Sequence, residues 1–196
     1  MHESSGDVRA WRGSRRRQRR RTTLAAGGIL LGITLGIGWM IRPPPAPEPR
    51  PGEVLSGGAV VVYSPGYRVS FYGVELLHPF DIAKYDKIAR RLRREGLLPR
   101  GAAQVPAEAT RDQLVAVHDA DYVDGLRDVA ALSRALEVGL PGFLPTRSVD
   151  RRVMAPFRRA VGGTIEAAEA ARTHGLGINL GGGFHHARPG MGHGFC

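Results

Sequence analysis

Two kinds of hydrophobic pattern alternate between residues 59 and 180. Ala59-Val60-Val61-Val62-Tyr63 is an unbroken apolar run set between Gly57-Gly58 and Ser64-Pro65. Such a run predicts a short strand buried on both faces, as in a parallel sheet. Leu176-Gly177-Ile178-Asn179-Leu180 predicts a second short strand. Between them, apolar residues recur at helical spacing. Ile82, Tyr85, Ile88, Ala89 and Leu92 share one face of a helix from Ile82 to about Glu95, capped by Asp81 and closed by Gly96. Thr110 with Gln113 has the pattern of a capping box, opening a helix through Val117. A further helix is predicted from Asp121 to about Leu136, and a loop from Leu140 to Pro145. A long helix follows from about Asp150 to Thr173, with Gly162-Gly163 as a tight contact or slight break. Strand and helix in alternation predict an α/β fold around a parallel sheet. Ligands of such sheets gather beyond the carboxyl ends of the strands, where the loops after Tyr63 and after Leu180 both fall.

A third pattern precedes these. Residues 22–41, TTLAAGGILLGITLGIGWMI, carry no charge, and as a helix they would span about 30 Å, the thickness of a bilayer core. Arg15-Arg16-Arg17-Gln18-Arg19-Arg20-Arg21 stands before the block, with only Arg42 and Arg50 close behind it. The excess of arginine predicts a single-pass anchor with a cytoplasmic N-terminus and an extracytoplasmic domain. The competing reading is a cleaved leader, which favours a shorter apolar stretch and an A-x-A-like exit. Arg20-Arg21 also faintly resembles a twin-arginine export signal, a pair that any arginine run produces by chance. Pro43-Pro44-Pro45-Ala46-Pro47-Glu48-Pro49-Arg50-Pro51 then predicts a stiff polyproline stalk. The expected organisation is a basic arm over 1–21, an anchor over 22–41, a Pro-rich linker over 42–58 and a folded part over 59–196.

Charge and cysteine content narrow the function classes. Net charge is +10, of which the first 21 residues supply +6 through eight arginines against Glu3 and Asp7. The folded part is close to balanced, so no nucleic-acid partner is expected. The arm serves as a topology signal, with attraction to anionic lipid as a rival role. One cysteine, Cys196, excludes an internal disulfide framework and a multi-cysteine zinc knuckle. The candidate chemistry lies in Gly181-Gly182-Gly183-Phe184-His185-His186-Ala187. Imidazole titrates near neutrality, so two on a glycine-rich loop suit acid/base work. Adjacent histidines on an extended segment point opposite ways, and His185, His186 and His193 lack the spacing of a helical zinc site. A surface loop with incidental histidines fits the same spacing. His78 fits packing beside Pro79, His118 reads as an ordinary packed or surface histidine, and Tyr63 and Tyr67 read as wall or core.

Asn179 to Ala187, followed by Gly194-Phe195-Cys196, resembles the tandem-histidine segment of the zinc-dependent histone deacetylase family. Val62-Tyr63-Ser64-Pro65, Leu77-His78-Pro79-Phe80-Asp81, Val117-His118 with Tyr122, and Gly162-Gly163-Thr164-Ile165 fall in order where its class IV branch has similar segments. The resemblance runs from Ala59 to Cys196. It implies the first half of an arginase/deacetylase-like α/β fold, a parallel sheet flanked by helices, here preceded by one transmembrane helix. It implies zinc-dependent hydrolysis of an acyl-lysine or another acylated amine, with His186 as general base and His185 as its electrostatic partner. Gly194 would offer its carbonyl to the substrate amide, with Gly183 beside it and Phe184 and Phe195 as tunnel walls. Lys84 and Cys196 would stand near an internal channel. The family's zinc ligands, oxyanion tyrosine and histidine-orienting aspartates follow the Gly-Phe-Cys segment and are expected beyond Cys196. An alternative is a metal-free acyl-amine binding module or inactive remnant. His193 stands where near relatives have a small residue.

Overall fold

The computed structural model describes residues 45–70, 75 and 81–194. All described residues belong to one compact unit, Pro43–Cys196. The arm and anchor of the sequence reading, together with His78, Phe195 and Cys196, lie outside the described residues. Among the described residues no helix is long and apolar enough to cross a membrane.

β1 (Ala59–Val62) and β2 (Leu176–Asn179) pair in parallel, Val60 opposite Gly177 and Val62 opposite Asn179. β1 is buried along Val60 to Val62, as an apolar run without alternation requires. Its other edge meets Gln104: Tyr63 N–H donates to the Gln104 carbonyl at 2.9 Å, and Gln104 N–H to the Val61 carbonyl at 2.9 Å. Ser64 then caps a single 3₁₀ turn, Pro65–Tyr67. The helices that follow are α1 (Lys84–Arg94), α2 (Arg111–Val115), α3 (Ala120–Gly125), α4 (Val129–Leu136), α5 (Thr146–Val149) and α6 (Ala155–His174). α6 packs along both strands. It approaches so closely that a Cβ on Gly177 would stand 1.8 Å from the Ala167 carbonyl oxygen, which explains a glycine in mid-strand.

Two cores result. Val61, Tyr63, Tyr67, Tyr85, Ala89, Leu98 and Ala160 pack beneath the ends of the strands. Val69, Ile82, Val129, Leu132, Leu136, Val149 and Val153 form the second, below α4 and the start of α6.

The structure departs from the sequence reading at three places. The helix expected from Asp121 to Leu136 is two, because Asp128 accepts from Ala131 N–H at 2.8 Å and so starts α4 anew. The irregularity of the long helix lies at a π turn over Asp150–Met154, not at Gly162-Gly163. Pro156 has no N–H to give the Arg152 carbonyl, and Ser70 N–H reaches that carbonyl instead at 3.3 Å. The linker is not free along its length. Arg50 and Val105 exchange two backbone bonds of 3.0 Å, and Glu53 and Leu55 are also bonded to the domain.

Candidate active site

Asn179 ends β2 and uses all four of its side-chain hydrogen-bonding capacities. Its Nδ2 donates to the Ala160 carbonyl at 2.9 Å and to Thr164 Oγ1 at 3.0 Å. Its Oδ1 accepts from the Tyr67 hydroxyl at 2.8 Å and from Gly181 N–H at 3.1 Å. One side chain therefore joins α6, the turn after β1 and the first residue of the glycine loop. Gly163 is obligatory here, since its Cβ would stand 2.2 Å from the Tyr67 hydroxyl. Burial, then the Glu166 charge, pushes the Tyr67 hydroxyl well above the ordinary tyrosine range, keeping it a donor. Sequence reasoning put Tyr67 among wall and core residues and gave Asn179 no role of its own. The signal was a polar residue closing an apolar strand.

Past Gly182 and Gly183, both at positive φ, the chain turns. Ala187 N–H donates to the Phe184 carbonyl at 3.3 Å, so His185 and His186 occupy the turn itself. This corrects the expectation of an extended segment with opposed side chains: the two imidazole centroids are 4.1 Å apart, edge to face. His185 Nδ1 lies 3.2 Å from the Gly183 carbonyl. A carbonyl only accepts, so this contact places a proton on Nδ1. Gly194 seats against His186, where a Cβ would stand 2.7 Å from Nδ1.

Two further histidines belong to the surroundings. His193 Nε2 is 3.0 Å from Glu137 Oε1, and its ring centroid is 5.8 Å from that of His186. Glu137 follows α4 with φ 55°, the one left-handed non-glycine among the described residues. His118 is a packed histidine, as expected. Its Nδ1 donates to the Arg188 carbonyl at 3.0 Å, and Asp119 N–H donates to the Pro189 carbonyl at 2.9 Å, which pins the second half of the loop.

Phe184 packs on Phe157 at 5.3 Å between centroids. With His185 and Gly183 it lines a cavity of about 1120 Å³, whose other walls include Leu114, Tyr122, Leu132 and Met154. Lys84 begins α1 with its ammonium 5.3 Å from the Tyr85 ring centroid. Tyr63 and Tyr67 are core, their rings edge to face at 6.1 Å. Among the described residues no three histidine, cysteine, aspartate or glutamate side chains could hold a metal ion together. They do not fit a zinc centre. What they do offer is two imidazoles in contact, of which His185 lines the cavity, an arrangement suited to proton transfer.

The histone deacetylase domain profile matches residues 78–196. Histone deacetylase 2 of Arabidopsis thaliana is 42% identical over 136 residues, covering 69% of this chain and 35% of that protein. An uncharacterised protein of Picosynechococcus is 34% identical over 140 residues, covering 71% of this chain and 43% of that protein. The acetoin utilization protein AcuC of Staphylococcus xylosus is 31% identical over 126 residues, covering 61% of this chain and 32% of that protein. The chain thus spans between 32% and 43% of the length of these curated relatives.

Proposed function

The chain belongs to the histone deacetylase family, and on that footing we propose that it carries the acid/base half of a deacylase acting on acyl-lysine or another acylated amine. The observation that supports this best is the contact of His186 with His185, which lines the cavity, inside the matched region. In this reading His186 takes a proton from the water that attacks the acyl carbon. It returns a proton to the nitrogen as the C–N bond breaks, so the products are a carboxylic acid and a free amine. His185, with Nδ1 committed to Gly183, adds a second imidazole against the charge that forms on His186. The Gly194 carbonyl accepts from the substrate amide, and Phe184 flanks the acyl chain. Zinc is the metal of this family. Its ligands are expected outside the described residues.

The test is amine release from an N-acetyl-lysine peptide by the protein extracted from cells that make it. His186→Ala should lower kcat by about 10²- to 10⁴-fold. Wild-type release no faster than the variant's would overturn the hydrolase. Peptide-induced shifts of the His185 and His186 ring resonances would then mark the acyl-amine binding module. We further propose that residues 22–41 anchor the protein in a membrane with its domain outside the cytoplasm, supported by the uncharged block and the arginines before it. Deletion of residues 15–21 should invert or abolish insertion, whereas correct insertion with weaker lipid binding would reassign the arm to anionic lipid.

A further inference from the structure

Helix α1 ends in Arg90-Arg91-Leu92-Arg93-Arg94, and the turn that follows carries Arg100. Arg90, Arg93, Arg94 and Arg100 line one cavity of about 820 Å³, against Leu98 and Pro99. Leu98 is 1% exposed and seats the turn on the core. Arg50 brings a fifth guanidinium to the rim, its Nη1 3.8 Å from where a Cβ on Gly101 would stand. Both platforms are fixed by backbone bonds. Leu97 N–H donates to the Leu92 carbonyl at 2.9 Å to close the helix, and Ala102 N–H to the Pro99 carbonyl at 3.2 Å to close the turn.

Two carboxylates near the helix end are already engaged, and Glu53, whose N–H donates to the Ala102 carbonyl at 2.9 Å, makes no ion pair with these arginines. Glu95 accepts from Arg91 Nε, and Asp86 accepts from the Tyr63 hydroxyl. None of Arg50, Arg90, Arg93, Arg94 and Arg100 has an ion pair among the described residues. Arginines in the last turn complement the negative end of a helix, but that end amounts to about half an elementary charge. Five guanidiniums exceed it several-fold; Arg93 also lies 5.3 Å from the Tyr63 ring centroid, and a multiply charged anion would relieve their mutual repulsion beyond what solvent does. Planar guanidinium forks match the oxygens of phosphate, two bonds at a time.

We propose that this pocket binds a phosphate ester or diphosphate, at a site separate from the histidine loop and independent of the deacylase reading. The same chemistry is offered by a phospholipid headgroup and by a free phosphate ester. The probe is inorganic pyrophosphate, titrated calorimetrically into the full chain held in neutral detergent micelles. R93Q/R94Q/R100Q should weaken binding by about tenfold or more. R68Q/R127Q/R134Q removes the same charge from exposed positions elsewhere and should weaken it by less than about threefold. The single variant R100Q, on the turn and away from the helix, should lose affinity by itself if the triple variant melts early. Failure of pyrophosphate to bind the wild type, or equal weakening by the two triple variants, overturns the site. Micelles doped with phosphatidylglycerol separate the sources: displacement of pyrophosphate identifies a lipid headgroup, and unchanged pyrophosphate binding identifies a free phosphate ester.

Discussion

Tyr67 is 3% exposed, and its hydroxyl must donate to Asn179 for the start of the glycine loop to be fixed. That requirement sets an upper pH for the fold. Burial raises the Tyr67 hydroxyl, helped by the Glu166 charge, and raises that of Tyr63, helped by the hydrogen bond to Asp86. An unfolded tyrosine ionises near about pH 10. Both groups therefore contribute stability that is complete below that pH and is lost as pH rises toward their higher folded values. Urea unfolding between neutral and strongly alkaline pH should show a falling midpoint above about pH 10. Tyr67→Phe should cost about 1 kcal/mol at neutral pH through the lost hydrogen bond and should make the alkaline fall shallower. A fall as steep as the wild type's would assign the alkaline loss to other groups. Composition and spacing located the histidines but not this support, because a tyrosine and an asparagine 112 positions apart have no sequence signature as partners.

At the scale of elements, what was legible depended on where each hydrogen bond closes. The capping box at Thr110 is local and is present as read: Gln113 N–H donates to Thr110 Oγ1 at 3.2 Å, and Thr110 N–H donates to Gln113 Oε1 at 2.8 Å. Thr110→Ala should destabilise by about 0.5–2 kcal/mol, measured by chemical denaturation. A smaller loss would mean that α2 is held chiefly by Arg111, whose guanidinium meets Asp124 of α3 at 2.8 Å. The break between α3 and α4 was missed because apolar spacing continues across Leu126 to Asp128 while the cap at Asp128 interrupts the backbone. The π turn was missed for a different reason. Pro156 frees a carbonyl, but only tertiary structure shows that Ser70, from another part of the chain, accommodates it. Of the two readings open for the double glycine, the tight contact holds: a Cβ on Gly162 would stand 2.1 Å from the Ala107 carbonyl oxygen.

For the molecule as a whole, the parallel sheet was readable from two short apolar runs, and its extent was not. Among the described residues the ladder runs from the Gln104 bridge through β1 to β2 and stops. Among the described residues, β1 has partners on both edges, whereas β2 has one. Leu176 and Ile178, the outward pair of β2, are 48% and 39% exposed. An uncovered strand edge with apolar neighbours templates pairing with another chain. The full chain in neutral detergent should therefore associate as its concentration rises, followed by sedimentation velocity. Ile178→Lys should reduce that association, because a charge on an edge strand opposes edge-to-edge pairing, while the thermal midpoint stays within a few degrees. The residues 22–41 are the same in both proteins, so any contribution from them cancels in the comparison. Association that is unchanged by Ile178→Lys would place the contact elsewhere and would mean that β2 is already covered in solution.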